Sequence, residues 1–169
     1  EDLVRIALTA GPNAKSTPLD ARFKITAESV IDEKPVAHET SIGAITVSEK
    51  QPDLAVNNGE KTLELAPGQL GSIGVKLTRA NGFDSRSPIS VLNLPFGVRV
   101  MYTGLNGILV REGETERRIE ILAEPWVKPI TRKIYIQALI ETQTAQKPLF
   151  LGEPIELRIA GDQKIAKQN

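Results

Sequence analysis

Apolar and polar residues alternate with a period of two along most of the chain. Val4, Ile6 and Leu8 alternate with Arg5, Ala7 and Thr9, and Phe23, Ile25 and Ala27 alternate with Lys24 and Thr26. The same pattern returns at Ile73-Val75-Leu77, Val98-Val100-Tyr102, Ile119-Ile121, Ile134-Ile136-Ala138-Ile140 and Ile155-Leu157-Ile159. Each run has one apolar face, as strands packed on one side do. This places Tyr102 in the core with its hydroxyl toward water. Tyr135 falls on the face opposite Ile134 and Ile136, exposed or covered only by a neighbouring element. Thr115 to Ile121 carries charge at near-helical spacing, but Ile119 and Ile121 favour a strand.

Turn signals separate the runs. Pro67-Gly68, Asn58-Gly59, Asn81-Gly82, Asn106-Gly107 and Glu112-Gly113 favour tight reversals, because glycine takes positive φ at little cost. Most prolines, Pro88 and Pro95 among them, are placed between runs, where no ladder hydrogen bond is lost. The spacing predicts strands near 53–57, 62–66, 71–79, 88–93, 97–103, 107–111, 116–123, 132–142 and 153–160. The expectation is an all-β, antiparallel immunoglobulin-like β-sandwich over residues 50–161, of about seven to nine strands. An extra N-terminal β segment fills residues 1–48, with a third strand near Ile42 to Val47. Residues 162–169 are polar and read as a flexible tail.

Two stretches about 113 residues apart read alike. Val4 to Ala10, then Phe23 to Ala27, then Glu33-Lys34-Pro35-Val36 match Arg118 to Ala123, then Ile134 to Ala138, then Gln146-Lys147-Pro148-Leu149. Each is two alternating runs joined by a loop and closed by a Lys-Pro turn. That spacing suits whole domains in tandem rather than a solenoid. Residues 1–48 therefore read as the C-terminal strands of a preceding sandwich, or as a bridging β segment. Three strands bury little by themselves. They are expected to pack on the main module or to pair across to another copy through strand edges.

The segments Leu63-Glu64-Leu65-Ala66-Pro67-Gly68 and Val91-Leu92-Asn93-Leu94-Pro95-Phe96-Gly97-Val98, with Gly104-Leu105-Asn106-Gly107, carry a resemblance. They resemble bacterial immunoglobulin-like modules with an "NLP-x-GV" signature, found in large exported proteins of planctomycete-type bacteria. The resemblance covers about residues 50–160. It implies an exported module at the periplasm, cell surface or extracellular space, without catalysis and without a particular ligand. The motif has a physical reading too: Pro95 and Gly97 turn the chain, and Val98 starts the next inward run.

Composition narrows the chemistry. Lys plus Arg equals Asp plus Glu, at 21 each, so no net field draws the chain to nucleic acid. No apolar run reaches the roughly 20 residues of a membrane helix. The first residue is not Met and no leader-like run follows it, which reads as a processed or excised chain. Cysteine is absent, so disulfides and Cys-ligated metals are excluded.

His38 is the single histidine, so a Ser-His-Asp triad has only one place to form and a multi-His metal site has none. Glu112, Glu114, Glu116 and Glu120 are interleaved with Arg111, Arg117 and Arg118, a pattern of surface pairs. Asp53, Asn57 and Asn58 offer oxygen ligands without the spacing of a calcium loop. Lys128, Arg132 and Lys133 form the densest basic group.

Trp126, the only tryptophan, sits between Pro125 and Pro129. It reads either as a cap on the core, sealing the join to residues 1–48, or as a stacking platform for a sugar. Trp126 and Tyr135 are thus the candidate ligand or interface residues. No catalytic residue, cofactor or metal is expected. The reading is a non-catalytic structural or spacer module, with a glycan- or protein-binding module as the alternative.

Overall fold

The computed structural model describes residues 6, 8, 10–11, 13–48, 52–104, 107–141 and 147–161. The strand expected from Val4 and the tail 162–169 lie outside these. The described residues are strands and connections, with no helix among them. Two units are distinguished by their internal contacts: Leu8–Gln51, and one that contains Pro52–Asn169.

The larger unit is an antiparallel β-sandwich of ten strands: β3 Leu54–Asn58, β4 Thr62–Leu65, β5 Leu70–Arg79, β6 Ser87–Leu92, β7 Val98–Val100, β8 Ile108–Val110, β9 Glu116–Ala123, β10 Ile130–Leu139, β11 Leu149–Leu151 and β12 Ile155–Ile159. One sheet runs β4-β12-β10-β6-β8, with β11 also on β10; the other runs β3-β5-β9-β7. Every pairing is antiparallel except β4 on β12. The period-two pattern works as expected. Ile73, Val75 and Leu77 of β5 and Ile119, Ile121 and Ala123 of β9 face Ile134, Ile136 and Ala138 of β10 and Ile155 and Leu157 of β12, all buried. At about 25 cal/mol per Å2 of apolar area, this interdigitated layer is the main source of stability.

Glycine sets the close approach of the two sheets at one point. Gly71 faces inward on β5, and a Cβ there would stand 2.5 Å from Leu65 Cδ2 and 3.1 Å from Leu63 Cδ1. The turns at Asn81-Gly82 and Glu112-Gly113 have the positive φ that was expected, whereas Asn58-Gly59 does not turn in that way. Gly59 N–H donates to Gly74 O at 2.9 Å and prolongs the β3–β5 ladder instead.

Other sequence expectations in the sandwich need correction. Tyr102 is not in the core: β7 pairs with β9 only to Val100, and Tyr102 then takes φ +53°, which breaks the alternation and leaves it 77% exposed. Pro88 lies within β6 rather than between runs; pairing with β10 ends at Ile89, so β10 loses no bond to the missing N–H. β11 was not expected, since three residues between Pro148 and Gly152 are too short to show a period. The last two features of the larger unit's repeat, Lys147 and Pro148, lead into β11 and not into a turn of their own.

Two polar groups in the sandwich give opposite predictions. The Arg79 side chain is 9% exposed; it donates to Arg111 O at 2.9 Å and to Glu114 O, and stands 3.9 Å from Asp84. It thereby ties β5 to the β8–β9 turn. Arg79→Met keeps the apolar stem but takes the donor from Glu114 O, while Arg111 O still accepts from Glu114 N–H at 3.1 Å, so urea unfolding should show a loss of about 1–3 kcal/mol. Ser87 is fully buried, and its Oγ has no hydrogen-bond partner among the described residues. Ser87→Ala should therefore keep or raise stability; a loss beyond about 1 kcal/mol would contradict the unpaired hydroxyl.

The smaller unit is a hairpin of β1 Phe23–Ile31 and β2 Lys34–Ile42 in register from Phe23↔Ile42 to Ile31↔Lys34. The reversal is Asp32-Glu33, both at positive φ (49° and 62°), the backbone signs of a type I′ turn. Lys34-Pro35 is thus the start of β2 rather than the expected turn. In this register Ile31↔Lys34 closes the turn and Val30↔Pro35 is the non-hydrogen-bonded pair, so the proline costs the hairpin nothing. The expected strand at Ile42 to Val47 does not form beyond Ile42. Side-chain hydroxyls take the partner's place: Ile45 N–H donates to Thr17 Oγ1 and Val47 N–H to Ser16 Oγ, both at 2.8 Å.

Candidate functional site

The β6–β7 and β9–β10 connections are tied into one rigid corner. In the first, Val98 N–H donates to Pro95 O at 3.0 Å and Gly97 has φ +86°, a turn with Phe96 at its tip. In the second, Val127 N–H donates to Glu124 O at 3.0 Å, with Pro125 and Trp126 between them. Glu124 N–H donates to Gly97 O at 2.8 Å and locks one turn on the other. Pro95 and Gly97 therefore turn the chain as the motif predicts, and Val98 enters the core.

This corner brings Phe96 and Trp126 together. Their ring centroids are 4.9 Å apart, with the planes tilted by 50°. A Cβ on Gly97 would stand 2.9 Å from Trp126 Cζ3 and 3.1 Å from Val127 Cγ2, so the glycine is what lets the indole lie over the turn. Val127, not Trp126, enters the core; Trp126 is 56% exposed and Phe96 86%. Two aromatic rings held in water by tight turns are unusual, because burial of either would stabilise the fold.

Beside the rings runs a groove of about 490 Å3, lined by Pro95, Phe96, Trp126, Pro129, Lys128 and Arg132 among others. Neither Lys128 nor Arg132 has an ion-pair partner among the described residues. Glu124, the carboxylate at the turn, is held by Arg99 Nε at 2.7 Å. The groove therefore presents apolar rings and free positive charge.

A second depression, of about 510 Å3, lies on the outer face of β3, β5 and β9, where Gly59 and Gly74 lack side chains. Its charges are matched in place: Lys76 with Glu116 at 3.6 Å, Arg118 with Glu60 at 3.9 Å, and Arg117 with Glu114 at 3.8 Å. These are exposed surface pairs with little leverage. On the edge pair β4–β12, Arg158 bonds Glu156 and Glu64, and those hydrogen bonds raise its already high pKa.

Of the candidate residues, Trp126 lines the groove and Tyr135 does not. Tyr135 is half-buried on β10 opposite Leu92, on the face away from Ile134 and Ile136. Phe96 was missed, although an aromatic between Pro95 and Gly97 is a signal: a turn tip cannot bury its side chain. The oxygen ligands considered for calcium do not converge. Asp53 Oδ1 accepts from Asn81 Nδ2 at 2.7 Å, Asn57 bonds Thr78, and Asn58 bonds Glu153 O. Among the described residues no group of three or more His, Asp or Glu could hold a metal. His38 is exposed on β2, opposite Ala27.

No family model matches the chain. No curated protein matches it either. Among solved structures it is similar to domains 4 and 5 of the S-layer protein SbsC. The identity is 16%, the TM-score is 0.38, and the match covers 90% of this chain and 65% of that one, just under two thirds. A likeness of that size assigns neither activity nor partner.

Proposed function

We propose that this chain is a non-catalytic structural module of an exported or cell-surface bacterial protein, built as an immunoglobulin-like sandwich beside the closing hairpin of a neighbouring one. The observation that carries this reading is the repeat. Phe23, Ile25 and Ala27 of β1 hold the sequence positions of Ile134, Ile136 and Ala138 of β10, which are wholly buried by the facing sheet. In the hairpin that face has no second sheet of its own among the described residues, and Phe23 is 38% exposed. A two-stranded hairpin is marginal alone, so its apolar face calls for the sheet that the repeat supplies in the sandwich.

Topology supports the immunoglobulin-like reading. The layers β3-β5-β9-β7 and β12-β10-β6 follow the order of an ABED sheet facing a GFC sheet, with β4 parallel on the β12 edge and β8 added outside β6. Export rests on the resemblance of the "NLP-x-GV" segment. No helix of the described residues is long and apolar enough to cross a membrane.

The test is to express the chain with about 100 preceding residues of the protein that carries it, one sandwich's length. Ile25→Asp should then lower the melting temperature of the added domain, while in the present chain it leaves the sandwich transition unchanged. An added domain indifferent to Ile25→Asp rejects the shared-hairpin reading. Light scattering separates pairing across chains: a dimer that disappears in a chain starting at Gln51 would assign the hairpin to a second copy.

A further inference from the structure

We propose that the groove beside Phe96 and Trp126 binds an acidic polysaccharide, one that carries carboxylates along a sugar chain. Three features converge there. First, the rings are displayed by hydrogen-bonded turns, Pro95–Val98 and Glu124–Val127, that are themselves joined at 2.8 Å. Little conformational freedom is left for a ligand to freeze, and preorganised sites bind better for that reason. Second, the rings meet at 50° rather than lying in one plane. A tilted pair in contact offers one continuous aromatic surface with two faces set at an angle, against which the C–H faces of a pyranose can stack. Third, Lys128 and Arg132 border the same groove without carboxylate partners among the described residues, while Glu124 is neutralised by Arg99. The guanidinium of Arg132 offers a planar fork suited to a carboxylate.

The occupant follows from this combination. Stacking without charge would suit a neutral glycan and would leave the two cations without purpose. Charge without rings would suit any anion. Single-stranded nucleic acid also stacks and carries charge, but its binders track the backbone with a long basic groove. Here the chain has no net charge, and the second depression has its cations matched by acids. A groove of about 490 Å3 takes a few sugar units only, so affinity for one module is weak. Repetition of modules along a surface protein would raise it by avidity. This inference does not depend on the hairpin: it concerns the sandwich corner alone.

Trp126 is the only tryptophan, so its emission reports directly on the site. The full chain is titrated with oligogalacturonate, with cello-oligosaccharide of equal length, and with oligothymidylate. The expected result is a saturable change in emission with oligogalacturonate, weaker by at least roughly fivefold for the neutral sugar, and reduced as salt rises. Arg132→Gln and Phe96→Ala should each weaken binding roughly fivefold while the far-ultraviolet circular dichroism stays unchanged, since Phe96 is exposed and glutamine keeps most of the half-buried stem of Arg132. Calorimetry on Trp126→Ala should show no binding. Equal response to the neutral sugar would overturn the charge argument. Tighter binding of oligothymidylate would assign the groove to nucleic acid. No response to any of the three would reject a ligand site of this chemistry.

Discussion

Ile136→Ala should lose about 2–5 kcal/mol of stability in urea unfolding, and Ile25→Ala under about 1 kcal/mol. The two isoleucines hold equivalent places in the repeat, so the difference isolates what surrounds them. Ile136 has no exposed surface and lies in the layer between the sheets, against residues such as Ile73 and Ile121. Truncation leaves a cavity that a close-packed interior does not refill. Ile25 is only half-buried, on a hairpin with no second layer of its own among the described residues, so its truncation removes less contact. Equal losses at the two sites would mean that the hairpin face is as well packed as the sandwich core.

Gly97→Ala should lose about 2–3 kcal/mol and change the emission of Trp126. Two costs add at this residue. A φ of +86° disfavours any Cβ, by roughly 1–2 kcal/mol. The added carbon also meets the indole edge at 2.9 Å and Val127 at 3.1 Å. The indole can swing toward solvent, but Val127 is buried and cannot, so part of the strain passes to the core. The proposed binding surface would be broken as the ring moves off Phe96, and affinity for oligogalacturonate should fall with it. Unchanged stability together with unchanged emission would show that the turn adapts without loss.

The fold was legible where alternation is strict. Ile73-Val75-Leu77, Ile119-Ile121 and Ile134-Ile136-Ala138 each declare a buried face, and the structure places all of them in one core. Legibility failed where backbone or hydroxyl chemistry overrides periodicity. Tyr102 continues the pattern of Val98 and Val100, yet its positive φ turns it out. Ile42 to Val47 looks like a strand, yet Ser16 and Thr17 supply partners that a strand would otherwise provide. The site was half legible. Trp126 between prolines pointed to a turn, and a turn displays it. Lys128 shares the connection of Trp126 and was legible with it, but Phe96 reaches the same groove from the β6–β7 connection, a convergence that depends on the Glu124–Gly97 hydrogen bond and is invisible in the sequence. Arg79 was not singled out at all, since its importance lies in two carbonyls more than 30 residues away.

The two functional proposals stand on different parts of the molecule. The sandwich corner concerns recognition, and the hairpin concerns how modules join. The second is the more basic claim, because it decides what the chain is a part of. Backbone amide hydrogen exchange on the intact chain tests it most directly, comparing β1 with β10. Amides of β10 should open only with global unfolding of the sandwich, while those of β1 should exchange through local opening that costs less than about 2 kcal/mol. Protection in β1 equal to that in β10 would contradict the account, because a two-stranded hairpin without a facing sheet opens locally.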